Sequence, residues 1–207
     1  MKEYDNFSET FAKSRKNMHW PEIEYFLDVL GQPGKVNVLD IWCGSWRLLP
    51  YLGKALPDFW YLWIDSSSWM INEAKKEHPS YEFQTLDMTE LDKIKTKFDR
   101  VFFIASFHHL DTPEKRLDTL IKLKNILSPD WIAYMTNWNL LWDRNFSKYM
   151  NAHRWNWDFD IKIWKHSRYY HSFSEAELGN LFSLSGFTVI ENRVFEWGNN
   201  LISIIKA

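Results

Sequence analysis

The sequence predicts an α/β fold, a doubly wound and mostly parallel seven-stranded Rossmann-like sheet with an antiparallel closing strand. Short apolar runs alternate with amphipathic helical patterns along most of the 207 residues, as in sheets with right-handed crossovers. Two further strand patterns follow near the carboxyl terminus and are expected to pair antiparallel. Because no interdomain linker interrupts the chain, residues 1–207 are expected to form one domain.

The helical patterns carry clear end signals. Pro21 stands in a first turn and is followed by acids, Thr112 caps a helix that has Pro113 in its first turn, and Gly186 follows the last helix. Helices are predicted over 21–30, 47–56, 68–77, 112–127 and 174–184, and strands over 36–41, 61–64, 81–85, 99–105, 132–136, 187–195 and 201–206. In the 112–127 helix, the predicted inward side chains are Leu117, Leu120, Ile121, Leu123 and Leu127.

Two segments stand outside this alternation. Residues 1–31 are predicted to form an N-terminal helical cap, and residues 139–171 an aromatic and basic insertion over the pocket. Basic side chains among aromatic ones suit phosphates and unstacked bases, although a solvated cover over the pocket has the same composition.

Composition excludes several classes of protein. The net charge of -2 predicts no general affinity for polyanions. The single cysteine, Cys43, excludes an internal disulfide framework and a cysteine-based zinc site, and no metal site is expected. No apolar run reaches the roughly 18 residues of a membrane span and no signal-peptide core begins the chain, so a cytoplasmic protein without a membrane partner is expected.

Two residue counts are unusual. The chain has 7 glycines, where about 14 would be expected at a typical 7%, and it has 13 tryptophans. Several of the tryptophans stand at positions where sequence motifs have glycine, which connects the two counts.

Residues 38–47 read V-L-D-I-W-C-G-S-W-R. With glycine in place of Trp42 and Trp46, this stretch strongly resembles the first motif of class I S-adenosylmethionine (SAM) methyltransferases. The loop after the first strand must turn sharply and bring its backbone against the cofactor, which a side chain would block. The resemblance implies SAM as cofactor, Asp40 facing its methionine amino group, and Trp42, Cys43 and Gly44 in the contacting loop.

The same replacement recurs at other motif positions. Residues 61–66, Y-L-W-I-D-S, resemble the end of the family's second strand, where Asp65 would accept both ribose hydroxyls with Ser66 beside it. Tryptophan also stands where the family tends to have glycine at positions 69, 131, 164 and 197, whereas Trp20 and Trp138 fit as tryptophan. We interpret the pattern as UGA codons that are read as glycine in the living cell. The alternative is a diverged, inactive SAM-fold protein that is truly rich in tryptophan.

Residues after the third and fourth strands complete the predicted site. Asp87 and Met88 follow the third strand, where the family's adenine contacts lie, and Ala105 follows the fourth. Strand carboxyl ends face the ligand in such sheets, so the neighbouring His108 and His109 are candidates to position a substrate or move a proton.

Three further sequence blocks point to a more specific family of methyltransferases. They are F-A-K-S-R at 11–15 followed by W-P-E at 20–22, H-H-L-D-T-P-E-K-R at 108–116, and R-Y-Y-H-S-F at 168–173. They resemble the methyltransferases that esterify a carboxymethyl group on the wobble uridine of tRNA. The resemblance implies Arg15 and His109 as catalytic candidates, with Arg168, Tyr170 and His171 beside His108 on the substrate side.

The resemblance also implies a tRNA partner. Family members in eukaryotes work with a small zinc-binding protein, so a small activating partner is a further possibility that the residues leave open. A methyltransferase of similar build that acts on a small molecule is the alternative enzyme. A positive 143–171 surface would favour tRNA, and a closed apolar pocket would favour the small molecule.

Overall fold

The computed structural model describes residues 19–30, 34–42, 47–163 and 166–206, apart from the side chain of Trp197. Its helices are α1 (Pro21–Val29), α2 (Leu49–Ala55), α3 (Ser68–Glu77), α4 (Pro113–Lys124), α5 (Asp143–Tyr149) and α6 (Glu175–Leu184). Its strands are β1 (Val36–Ile41), β2 (Phe59–Asp65), β3 (Glu82–Thr85), β4 (Phe98–Ile104), β5 (Leu127–Trp138), β6 (Asp158–Ile163), β7 (His166–His171), β8 (Thr188–Val194) and β9 (Asn200–Lys206).

Seven strands form one sheet in the order β3-β2-β1-β4-β5-β9-β8. β1 pairs in parallel with β2 and β4, and β5 continues the parallel set beside β4. β9 runs antiparallel to both β5 and β8. The predicted fold class is therefore confirmed, including the closing strand.

Side-chain caps begin several helices where the sequence indicates them. Ser67, Thr112 and Ser174 each accept a hydrogen bond from the backbone N–H three residues on. Gly186, with φ of 72°, takes the left-handed conformation after α6 that a side chain would strain.

The core lies on both faces of the sheet. On one face α4 and α6 cover residues such as Val101 and Phe103. On the other face α1, α2 and α3 cover residues such as Val38 and Phe102. One predicted inward side chain is wrong: Ile121 is 47% exposed, because α4 buries the stripe that contains Arg116, Thr119, Leu120 and Leu123.

The 139–171 segment contains α5 and a separate two-stranded sheet, in which β6 pairs antiparallel with β7. We call residues 158–171 the cover hairpin. A small apolar cluster of Leu140, Phe159, Ile161 and Tyr170 joins it to the end of β5. The hairpin thereby lies against the edge of the main sheet at which β5 ends.

Candidate functional site

The carboxyl ends of β1, β2, β4 and β5 meet at one edge of the sheet, and most of the predicted site residues lie there. Asp40 is the penultimate residue of β1 and Asp65 the last of β2. Ala105 directly follows β4. Because β9 is antiparallel, its first residue, Asn200, reaches the same edge.

Asp40 and Asp65 are buried carboxylates that the protein holds in place. Asp40 is fully buried, and its Oδ2 accepts a hydrogen bond from the Tyr61 hydroxyl at 2.6 Å. Asp65 is 5% exposed, and its Oδ1 accepts the N–H of Ser67 at 2.8 Å. Backbone and phenol donors fix both side chains next to the loops that would carry the cofactor.

The remaining predicted cofactor residues lie in different local environments. Ser66 is half-buried in the turn after β2. The Asp87 carboxylate accepts hydrogen bonds from the N–H and the hydroxyl of Thr89, and so caps the short helix that follows. Met88 is fully buried in the core. Ala105 has φ of 53°, a conformation that non-glycine residues rarely adopt and that clusters at functional sites.

Trp42 has φ of 56°, in the left-handed region that favours glycine. Its indole Nε1 donates to the Leu86 carbonyl at 3.3 Å, and the ring packs against the core. The side chain therefore extends from the end of β1 to the loop after β3, between the two segments predicted to hold the cofactor. The buried acids suit SAM, but this indole does not, whereas a glycine at position 42 would leave the space open.

Other tryptophans at predicted glycine positions have ordinary backbones. Trp63 and Trp131 are packed in the core, and Trp69 is partly buried beside it. None of these three has a positive φ. Their backbones therefore accept either residue, unlike that of Trp42.

His108 and His109 lie in the short helix after β4 and take different tautomers. His108 Nδ1 accepts the backbone N–H of Trp138 at 3.1 Å, which leaves its proton on Nε2. His109 Nδ1 lies 2.8 Å from the Tyr169 carbonyl and must donate to it, which leaves the lone pair on Nε2. Burial, and then the positive charge of Arg168, hold the pKa of both imidazoles well below the usual value, so both rings are neutral at pH 7.

Tyr170 connects these histidines with the end of β5. Its ring stacks on Trp138 with centroids 4.9 Å apart, and lies 5.2 Å from His108 and 4.5 Å from His109. The Arg168 guanidinium lies over the same tyrosine, 5.9 Å from the ring centroid. The structure thus brings together four of the residues predicted on the substrate and catalytic side.

His171, the last residue of the cover hairpin, lies instead in a buried polar network between the hairpin and helices α4 and α6. Its Nδ1 lies 2.6 Å from Asp158, and its Nε2 lies 2.9 Å from Glu177. Arg116 donates to the Tyr169 hydroxyl, and that hydroxyl donates to Asp158 at 2.6 Å. The network fastens the hairpin to α4 and α6, and the substrate contact of His171 remains a prediction.

A cavity of about 310 Å³ opens beside this cluster, between α1, α5 and the start of β9. It is lined by His19, Trp20, Pro21, Glu22, Trp138, Asn145, Tyr149, Glu196, Asn199 and Asn200. Trp138 is shared between the cavity and the Tyr170 cluster. The guanidinium of Arg47, which follows the β1 loop, lies 4.4 Å from the Trp20 ring centroid. The cavity therefore lies close to Arg47, the first described residue after the predicted cofactor loop.

Sequence reasoning missed the polar residues of this region. Glu22 belongs to the W-P-E block and to the acids that follow Pro21, and neither pattern reveals its hydrogen bond with Asn200, 178 positions away. Asn137 was detectable in principle, because it lies near the end of β5. It is fully buried, and neither amide atom has a hydrogen-bond partner among the described residues. Arg15, Cys43, Gly44, Trp46 and Trp164 lie outside the described residues.

Two features, a metal-binding group and a membrane-spanning helix, are absent from the described part of the chain. Within it, no group of three or more His, Cys, Asp or Glu side chains is placed to hold a metal ion. No described helix is both long enough and apolar enough to cross a membrane.

Comparison with known proteins places the chain in a family. A tRNA (carboxymethyluridine(34)-5-O)-methyltransferase of Saccharomyces cerevisiae is 28% identical over 139 residues, which are 67% of this chain and 47% of the relative. An Invertebrate iridescent virus 6 protein is 30% identical over 54% of this chain and 46% of its own length. The chain thus spans about half the length of these two relatives.

Solved structures show the same fold at low sequence identity. A structure of a Haloferax volcanii methyltransferase in complex with the Trm112 methyltransferase activator contains a chain that matches with a TM-score of 0.76 at 16% identity. The match covers 99% of this chain and 97% of the other. A Burkholderia thailandensis 1,6-didemethyltoxoflavin-N1-methyltransferase has a TM-score of 0.70 at 17% identity, with coverage of 99% and 85%. The family model described as a methyltransferase domain matches residues 5–192. Since this match spans most of the sequence, the chain belongs to the methyltransferase domain family.

Proposed function

We propose that the protein is a SAM-dependent methyltransferase that esterifies the carboxymethyl group of a wobble uridine in tRNA. The observation that carries the proposal is the cluster of His108, His109, Tyr170 and Arg168 at the carboxyl end of β4. It joins aromatic faces and one cation beside the predicted cofactor loops, which suits a planar base that carries a carboxylate. The yeast relative supports this choice of acceptor by its name.

Methyl transfer to a carboxylate does not require a strong general base. A carboxylate is already ionised at pH 7, and SAM supplies an activated methyl group for in-line displacement. The protein's contribution is to align the reactants and exclude water. Asp40 and Asp65 are the residues assigned to hold the cofactor, and Arg168 the residue assigned to attract the carboxylate. His109, neutral and with its lone pair on Nε2, is assigned to position the acceptor.

Methyl transfer is to be tested on the full chain with glycine at positions 42, 46, 63, 69, 131, 164 and 197. We expect labelled SAM to methylate tRNA that carries carboxymethyluridine, and to leave tRNA without the carboxymethyl group unmodified. Arg168→Gln should weaken the reaction, whereas Lys95→Gln, on the exposed segment before β4, should leave it unchanged. Absence of transfer to carboxymethyl tRNA, with SAM bound, would contradict the proposal.

A small-molecule acceptor is the second candidate. The toxoflavin-precursor methyltransferase shares the fold, and a cavity of about 310 Å³ is of the size that small ligands fill. We favour tRNA because the cation and the aromatic side chains lie together at the predicted transfer point. We further propose that the protein works in the cytoplasm. A small activating protein is proposed as partner, by analogy with the Haloferax volcanii complex.

A further inference from the structure

Two buried polar residues form one wall of the cavity beside α1. Glu22 is 5% exposed and Asn200 is 7% exposed. Asn200 Nδ2 donates to Glu22 Oε1 at 2.6 Å, and the amide must be oriented this way because two oxygens would repel each other. The amide oxygen, Oδ1, then has no hydrogen-bond partner among the described residues. A buried acceptor without a partner is costly, so this pair is arranged for a ligand that donates.

The charges around the cavity favour the same kind of ligand. Its described lining includes two carboxylates, Glu22 and Glu196, and no lysine or arginine. A negatively charged group beside Glu22 would be repelled by its buried carboxylate. The cavity therefore favours a neutral group with an N–H donor over a carboxylate.

Two aromatic side chains also line the cavity. The rings of Trp138 and Tyr149 lie 6.3 Å apart and are inclined by only 26°, and both line the cavity. Flat side chains of this kind bind the face of a planar ring. Since Trp138 also stacks on Tyr170, a ring held here lies next to the cluster that contains His108 and Arg168.

We propose that the cavity binds the uracil ring of the acceptor nucleoside, with the Glu22–Asn200 pair accepting the hydrogen bond of its N3–H. The carboxymethyl carboxylate then lies outside the cavity, towards Arg168. The inference rests on the proposed function. It makes Glu22 a specificity-determining residue, because the Glu22 carboxylate orients the Asn200 amide, and a base or analogue without an N–H at that position leaves the amide oxygen unpaired.

The test compares two nucleosides on one protein. Binding of 5-carboxymethyluridine and of its N3-methyl derivative is measured by calorimetry, using the full chain with glycine at the seven positions given above. We expect the N3-methyl compound to bind about tenfold to a hundredfold more weakly, which is the cost of leaving a buried hydrogen-bond acceptor unpaired. Because position 22 is unaltered in this comparison, its outcome does not depend on how a variant folds.

Glu22→Gln should then reduce the difference between the two nucleosides to about threefold or less, with unchanged affinity for SAM. Asp28→Asn, an exposed acid-to-amide change on the same helix, serves as the matched control and should retain the full difference. Equal binding of the two nucleosides, or no binding of either, would overturn the inference.

The tRNA assay separates this inference from the proposed function. Transfer to carboxymethyl tRNA, without discrimination against the N3-methyl nucleoside, would overturn the role of Glu22 and leave the proposed function standing. Discrimination by the cavity, without methyl transfer to tRNA, would support the base-binding site and overturn the proposed reaction.

Discussion

At the scale of single residues, Trp42 is where sequence and backbone agree most closely. The motif predicts glycine there, and the backbone has φ of 56°. A bulky residue in that conformation carries strain of about 1–3 kcal/mol. Composition and motif spacing could predict the position, but the indole's hydrogen bond to the Leu86 carbonyl depends on a loop 44 residues away and could not be predicted.

The first prediction concerns the codons. We expect UGA at positions 42, 46, 63, 69 and 131, and UGG at positions 20 and 138, because tryptophan replaces glycine selectively at the motif positions. Sequencing the gene checks this directly. UGG at both 42 and 46 would contradict the recoding and favour an inactive, tryptophan-rich protein.

Removing the two indoles from the loop after β1 should restore cofactor binding. In the chain with tryptophan at the motif positions, we expect Trp42→Gly together with Trp46→Gly to raise the affinity for SAM, because removal of the Trp42 indole opens the space between the ends of β1 and β3. Isothermal titration calorimetry measures the affinity. Trp155→Gly is the matched control, since Trp155 is 87% exposed, and it should have no effect. Equal affinity before and after the double change would show that this description of the loop is wrong.

Asp65→Ala should weaken SAM binding by about 1.5–3 kcal/mol in the protein with glycine at the recoded positions, because a charge-assisted hydrogen bond is lost. Calorimetry again provides the measurement. Asp58→Ala, an exposed change just before the other end of β2, is the control and should leave the affinity unchanged. If Asp65→Ala binds SAM normally, Asp65 does not belong to the site.

At the scale of elements, the turn before the cover hairpin reveals a further glycine-like position. Asn156 and Trp157 have φ of 55° and 63°, and the N–H of Asp158 donates to the Trp155 carbonyl at 3.1 Å. Two consecutive positive φ values are typical of type I′ turns, for which Asn-Gly is the preferred pair. Position 157 is thus a further candidate for a UGA codon.

Trp157→Gly should stabilise the protein by about 1 kcal/mol, because the left-handed conformation costs an L-residue roughly that much. The free energy of unfolding in urea measures the gain. Trp155→Gly makes the same chemical change at a neighbour without a positive φ, and it should bring no such gain. A loss of stability with Trp157→Gly would mean that indole packing outweighs backbone strain there.

Most elements could be predicted from local patterns, and the exceptions have physical causes. Strand β5 begins five residues before the predicted strand at 132–136, because Phe98 pairs with Leu127 and Arg100 with Ile132, while residues 128–131 interrupt the register between these pairs. Ile121 was predicted inward because apolar spacing does not reveal that Arg116 is buried by the network under the cover hairpin. Long-range polar contacts decided both the helix face and the Glu22 site.

At the scale of the whole molecule, the two buried histidines make stability depend on pH. Burial, with the charge of Arg168, lowers the pKa of His108 and His109 in the folded protein, whereas the unfolded chain takes up protons near pH 6.5. Their contribution to stability is therefore complete above pH 6.5 and is lost as the pH falls below it. Each such proton changes the free energy of unfolding by at most about 1.4 kcal/mol per pH unit.

Urea unfolding between pH 7.5 and 5 should show this loss, and His109→Asn should show a shallower one. The amide of asparagine can still donate to the Tyr169 carbonyl, so the variant removes the titration and keeps the hydrogen bond. Identical pH slopes for the two proteins would contradict a neutral, buried His109.

The buried network around Arg116 also determines how an acceptor reaches its binding site. The Arg116 side chain is 4% exposed, and it joins α4 to Asp158 and Tyr169 of the cover hairpin and to Glu177 of α6. Separating the hairpin from α4 would leave the Arg116 guanidinium buried without its carboxylate partner Asp158, at a cost of several kcal/mol. We therefore expect an acceptor to enter through the cavity opening beside α1, without displacement of the cover hairpin, so that the amino-terminal helix decides which acceptors are admitted.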